Sequence, residues 1–165
     1  MKKYEFTGET KEIRLLFRTA TLHRIRATVA FGIVEVGDLG GWIEKEENLS
    51  HEGKAWVCGD AKVWGNAEVC GDAKVCGDAK VFSASHVLVI GAIGSRNDFT
   101  TFYRDKDNEI TVKCGCFLGK IDRFLEKVTQ THGDSKYALV YRAAVEVAKL
   151  QIDLSGEAPK DADEE

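Results

Sequence analysis

Between residues 53 and 87 the apolar positions return every six residues, a period that suits neither a straight helix nor a flat strand. One column reads Val57, Val63, Val69, Val75, Val81, Val87. The column two residues earlier reads Ala55, Ala61, Ala67, Ala73, Ala79, Ser85, and the column four earlier reads Gly53, Gly59, Gly65, Gly71, Gly77, Ser83. Residues two apart on a strand share a face, so the alanine and valine of each A-x-V point together into a core. The glycine, usually followed by Asp60, Asn66, Asp72 or Asp78, supplies a turn by taking positive φ, and the acid or amide bonds its own backbone. Short strands alternating with sharp turns predict a wound chain with three hexads per lap. Stacking of successive laps then pairs Trp64 with Phe82 and Cys58 with Cys76, both pairs facing outward. Traced backward, the columns meet Leu49, Ile43 and Leu39, which suggests an irregular first lap with Trp42 over its open end.

The flanks lose the six-residue period. "KKYEFTGETKEI" and "TLHRIRATVAF" alternate partially and are rich in β-branched and aromatic residues, so they predict a small antiparallel unit. "DFTTFYRDKDNEITVKCGCFLG" predicts a hairpin, with strands over 99–104 and 109–117 and a turn over 105–108. Helical spacing follows twice, first in Ile121, Phe124, Leu125 and Val128, then in Tyr137, Val140, Tyr141, Ala144, Val147 and Ala148. Gly133 ends the first helix, and Asp134 or Ser135 caps the second.

The "V-x-G-D-A-K" columns over residues 37–92 resemble the hexapeptide-repeat family. That resemblance implies a short left-handed parallel β-helix of about three coils, usually assembled as a homotrimer. "SRND", "CGCF-x-G" and "THGDSKY" resemble a small C-terminal module of uncharacterised phage and gut-bacterial proteins, and imply no activity. The expected fold is therefore mainly β with an α+β C-terminus. Its expected units are an N-terminal β unit (1–36), the repeat (37–92), a ββαα module (93–154) and a disordered acidic tail (155–165).

Charge narrows the partners. The formal net charge of −4 matches that of residues 157–165 alone, which hold five acids and one lysine, so the rest of the chain is neutral and offers no global field for nucleic acid. Residues 1–34 carry seven Lys or Arg against three acids, read as solvated strand faces rather than an anion patch. No stretch is long and apolar enough for a bilayer and no leader pattern is visible, so a cytoplasmic protein is expected, in a host cytoplasm if phage-encoded. Five cysteines are an odd number, and three of them, Cys58, Cys70 and Cys76, sit in the repeat where neighbouring hexads carry Trp64 or Phe82, which argues against a disulfide framework.

Candidate chemistry is sparse. Family resemblance implies acyl-CoA-dependent acyl transfer with a histidine general base at a subunit groove, and His86 is the residue so placed. A carbonic-anhydrase-like branch would need three histidine ligands, but His23, His51, His86 and His132 lack metal-ligand spacing. Cys114 and Cys116 fall on the apolar side of a strand, where they read as small hydrophobes, so no metal is expected. Phosphate-loop and nucleophile-elbow motifs are absent. Two polar segments remain, "IGSRNDFTTFY" and "THGDSKYALVYR". They nominate Ser95, Arg96, Asn97, Asp98, Tyr103, His132, Asp134, Lys136 and Tyr137 as ligand-binding residues, because binding groups concentrate at element ends. If the segments meet, Arg96, His132 and Lys136 form a cationic pocket for phosphate or carboxylate. Trp64, Phe82, Cys58 and Cys76 are the expected trimer interface, with cover by the chain's own flanks as the alternative.

These readings converge on a non-catalytic trimeric binding protein. It would capture a small anionic or nucleotide-like ligand or a host protein, without a cofactor, and the resemblance to phage proteins implies an accessory or counter-defence role. The alternatives are a minimal acyltransferase and a purely structural oligomerisation module.

Overall fold

A computed structural model describes residues 2–156. The acidic tail beyond residue 156 lies outside the described residues. Strands β1 (Tyr4–Arg14) and β2 (Thr19–Ala27) form an antiparallel hairpin. Ile13, Leu22 and Ile25 are buried on the hairpin's inner side. Strand β3 (Leu39–Ile43) adds antiparallel to β2.

The repeat contributes four strands of two residues each: β4 (Trp56–Val57), β5 (Lys62–Val63), β6 (Lys74–Val75) and β7 (Lys80–Val81). They pair in parallel, Val57 beside Val75 and Lys62 beside Lys80, while β5 also pairs with β3. Every alanine from Ala55 to Ala79 and every valine from Val57 to Val81 in the two columns is at most 2% exposed. Each turn glycine holds positive φ. At Gly53 (φ 66°) a side chain would also meet the Gly71 carbonyl oxygen at 2.7 Å, so both conformation and space call for glycine there.

A left-handed parallel β-helix is nevertheless not the fold, and the expected mainly-β class is corrected to α+β. The described residues form a mixed five-stranded sheet in the order β1-β2-β3-β5-β7, a separate β4-β6 pair, and a four-stranded sheet that is antiparallel throughout. None of these sheets closes or coils. Strands of two residues carry few ladder hydrogen bonds, and the long strands that extend them, β1 and β2, run antiparallel. The six-residue period thus determined which side chains go inside, not how the sheets connect.

The antiparallel sheet has the order β11-β10-β9-β8, built from β8 (Val87–Ile93), β9 (Asp98–Arg104), β10 (Ile110–Cys114) and β11 (Phe117–Lys120). Helices α1 (Ile121–His132) and α2 (Lys136–Gln151) pack on it as a hairpin. Gly133 terminates α1, its N–H donating to the Thr129 carbonyl, and Ser135 is the N-cap of α2, without a side-chain bond. Strand β9 faces two cores. Phe102 packs with Phe124 and Val112 under the helices, whereas Tyr103 enters the repeat core. There its hydroxyl accepts from the Cys76 N–H (3.2 Å) and donates to the Cys76 carbonyl (2.8 Å).

Cys58 and Cys76 are joined in a disulfide, Cα atoms 4.6 Å apart. This corrects the expectation that an odd, interchangeable set of cysteines leaves no such bond. Among the described residues no helix is long and apolar enough to cross a membrane.

Lys3 stitches the start of the chain to the repeat. It is buried, donates from Nζ to the Ala55 carbonyl at 2.6 Å, and sits 4.7 Å from the Phe31 ring centroid. Burial lowers its pKa from 10.5 to about 8. Between those two values the unfolded chain still holds the proton that the folded chain has lost, so this residue makes stability rise as pH increases through that window. Urea titrations from pH 7.5 to 9.5 are expected to show the rise in the parent and a flatter profile in Lys3→Met.

Candidate functional site

Three separate segments converge beside α1. The turn after β8 brings Ser95 and Arg96, the start of β9 brings Asp98, and the β10–β11 turn brings Cys114, Gly115 and Cys116. Helix α1 contributes Phe124, Lys127, Val128, Thr131 and His132, which share one face by their three- and four-residue spacing. Tyr141 of α2 closes the pocket, whose volume is about 200 Å³.

Local geometry explains why the pocket exists. Gly94 takes positive φ (78°), and the Tyr141 hydroxyl occupies the space a side chain there would need. A larger residue at 94 would therefore push Tyr141 out of the pocket. The Tyr141 ring stacks with His132 at 5.7 Å between centroids and meets Phe124 edge-on at 5.6 Å. Burial, then the neighbouring Cys114 thiol, pushes the phenol up to about 12, so it remains a neutral donor at physiological pH. Thr100 donates to the Cys114 sulfur at 3.3 Å. Arg96 and Lys127 supply the cationic character, His132 adds an imidazole, and Asp98 supplies the pocket's acid. Such a cavity can hold a compact anion by charge-assisted hydrogen bonds.

Of the residues nominated from sequence, Ser95, Arg96, Asp98 and His132 line this pocket. Lys136 and Asn97 lie outside its lining, and Asp134 is turned to solvent, 3.6 Å from Arg142. Tyr137 is half-exposed, its ring 5.8 Å from His132. Tyr103 is fully buried in the repeat core, out of reach of a ligand. Lys127, Thr131 and Tyr141 escape the sequence reading, although the spacing 124, 127, 128, 131 marks one helical face.

His86 does not serve as a solvent-facing general base. It is 2% exposed, and its Nδ1 accepts from the Phe82 N–H at 3.1 Å. Its Nε2 faces the Arg104 guanidinium at 3.4 Å. Burial first, then the Arg104 charge, lowers its pKa. A base needs a lone pair within reach of substrate, and this ring presents none to a groove.

The outward wall is also absent. Trp64 is 2% exposed and packs with Ile13, Leu22 and Trp42 beneath the β1–β2 hairpin, stacked on Phe82 at 4.9 Å. The tip of that hairpin is tied down by Arg18, which donates twice to Glu44, while Glu44 accepts from the Gly65 N–H. Trp42 therefore lies under the hairpin with Lys11 and Arg24 over its ring, rather than over an open end. Cys76 is buried, and Cys58 is half-buried in the disulfide.

No family model matches the chain, and no curated protein matches it. Neither the hexapeptide-repeat resemblance nor that of the C-terminal module is supported. Among the described residues no group of three or more His, Cys, Asp or Glu side chains is placed to hold a metal ion.

Proposed function

We propose that this chain is a binding protein for a small anion, seated in the pocket of Arg96, Lys127 and His132. The observation that carries the reading is the convergence of two polar segments, remote in sequence, on one cavity. There three basic side chains stand with the hydroxyls of Ser95, Thr131 and Tyr141. Arg96 and Lys127 line this space and are both exposed, so an anion can reach them from solution. The volume suits a phosphate or carboxylate group with a small substituent. Acyl transfer is not favoured, because its candidate base is buried. A cytoplasmic setting belongs to the same proposal, and there the reducing pool would leave the Cys58–Cys76 bond open to reduction.

Thermal unfolding against a panel of phosphate, pyrophosphate, citrate and small phospho-metabolites tests the reading. A true ligand at a hundred times its Kd stabilises by about 2.7 kcal/mol, a shift of about 5–10 °C for a chain of this length. Arg96→Ala and Lys127→Ala are expected to abolish the shift while leaving the unliganded Tm within about 1 °C. A panel that produces no shift, or shifts that survive both substitutions, overturns the proposal.

A further inference from the structure

A second groove lies on the other side of the β10–β11 turn, between the 28–38 loop and the repeat. It has two lobes that share Gly32, Ile33, Lys54, Lys74 and Lys113. One lobe, of about 570 Å³, is walled by Phe31, Trp56, Leu118 and the Cys58–Cys76 disulfide. The other, of about 430 Å³, is polar and reaches Asn97 and Thr101. Both volumes fall in the range of small-molecule sites, roughly 300–1,000 Å³.

The lysines at the join come from three places: the turn before β4, strand β6 and strand β10. Lys113 donates to the Gly115 carbonyl at 2.6 Å. Its pKa is lowered by burial first and then by the charge of Lys74. Asp38, Asp72 and Asp98 line parts of the lobes, yet among the described residues none forms an ion pair with Lys54, Lys74 or Lys113. Lys74 stands close enough to Lys113 to disfavour its charge, and an anion bound between the two would offset that repulsion. The apolar wall beside them is open to solvent: Ile33 is 82% exposed and Leu118 is 47% exposed. Trp56 forms its floor, with Phe31 edge-on at 5.2 Å.

We infer that this groove binds a phosphorylated compound with a flat apolar body, of nucleoside monophosphate size. The phosphate sits on Lys54, Lys74 and Lys113, and the ring lies in the lobe of Phe31, Ile33 and Leu118. Lysine serves phosphate as a point charge, and three of them at one join match a dianion better than a single carboxylate. The polar lobe adjoins the Arg96 pocket at Asp98 and Gly115, but Arg96 is not part of its lining.

Calorimetric titration with AMP, GMP, CMP and UMP, with the matching nucleosides, and with inorganic phosphate tests this. At least one monophosphate is expected to bind, with its nucleoside and phosphate alone each at least tenfold weaker. Lys74→Ala and Lys113→Ala are each expected to weaken it by about tenfold or more, Leu118→Ser to weaken it less, and Arg96→Ala to leave it unchanged. Lys74 and Lys113 are half-buried, so circular dichroism of each variant checks that the fold is retained. Absence of binding by all four monophosphates, equal binding in the lysine variants, or loss on Arg96→Ala would each overturn the assignment.

Discussion

Trp64→Ala is expected to destabilise the protein by about 3–5 kcal/mol, the usual cost of emptying a buried tryptophan site. Trp64 is among the largest fully buried side chains of the described residues. It is surrounded by Ile13, Leu22 and Trp42 and stacked on Phe82. The hairpin above it cannot collapse into the space, because Arg18 pins its tip to Glu44 and β1 is paired with β2 along most of its length. Against a typical total of about 5–15 kcal/mol, such a loss lowers the urea midpoint severely. Phe17→Ala, at a position 94% exposed on the same hairpin's turn, is the control and should change stability by under about 0.5 kcal/mol. If Trp64→Ala instead alters the oligomeric state with little loss of stability, the residue faces another chain and does not pack beneath the hairpin.

Arg104→Met is the second large effect. This guanidinium is 1% exposed. It donates to Asn108 Oδ1 at 2.7 and 3.2 Å, to the Ser155 carbonyl at 2.9 Å and to the Gly156 carbonyl at 2.6 Å, and it lies 5.2 Å from the Phe82 ring centroid. Methionine keeps part of the aliphatic stem but strands those acceptors. Hydrogen bonds to charged groups are each worth about 1.5–3 kcal/mol, so a net loss of about 3 kcal/mol is expected after water re-satisfies the outer carbonyls. The change should also release residues 153–156. Limited proteolysis should cut the variant near residues 153–156 under conditions that spare the parent. Equal protease resistance of the two would show that the guanidinium is not what holds this segment.

The same residues show what the sequence disclosed. Alternation within each hexad identified the inward alanines and valines, because two-residue periodicity is a local property of the chain. Which strand lies beside which is not local. Pieces as short as Lys62–Val63 take their sheet from the neighbours that reach them, here the antiparallel N-terminal hairpin. Val87 keeps the register of one more hexad, yet no glycine-acid turn follows it, and the chain runs on as an ordinary strand into the antiparallel sheet. Strand β11 is indistinguishable by pattern from the end of β10, although Gly115 at φ 57° turns the chain between them. Both helices were legible from their apolar spacing and from Gly133.

At the site, polar density at element ends found Ser95, Arg96, Asp98 and His132. It also drew in Tyr103, because β9 is buried on both faces and alternation then carries no information. The lysine groove left no mark in the sequence. Lys54, Lys74 and Lys113 belong to three distant segments, and only the folded chain makes them neighbours.

The hairpin that covers Trp64 has a bearing on how the protein is made. Residues 4–27 leave the ribosome before the segment their inner side packs against, from Trp42 to Trp64. Vectorial synthesis therefore presents this β-ribbon before its partners exist, and its apolar side must wait unsheltered for the repeat to emerge. A segment made ahead of its partners thus settles only after them, and chaperone occupancy during translation should be raised on it.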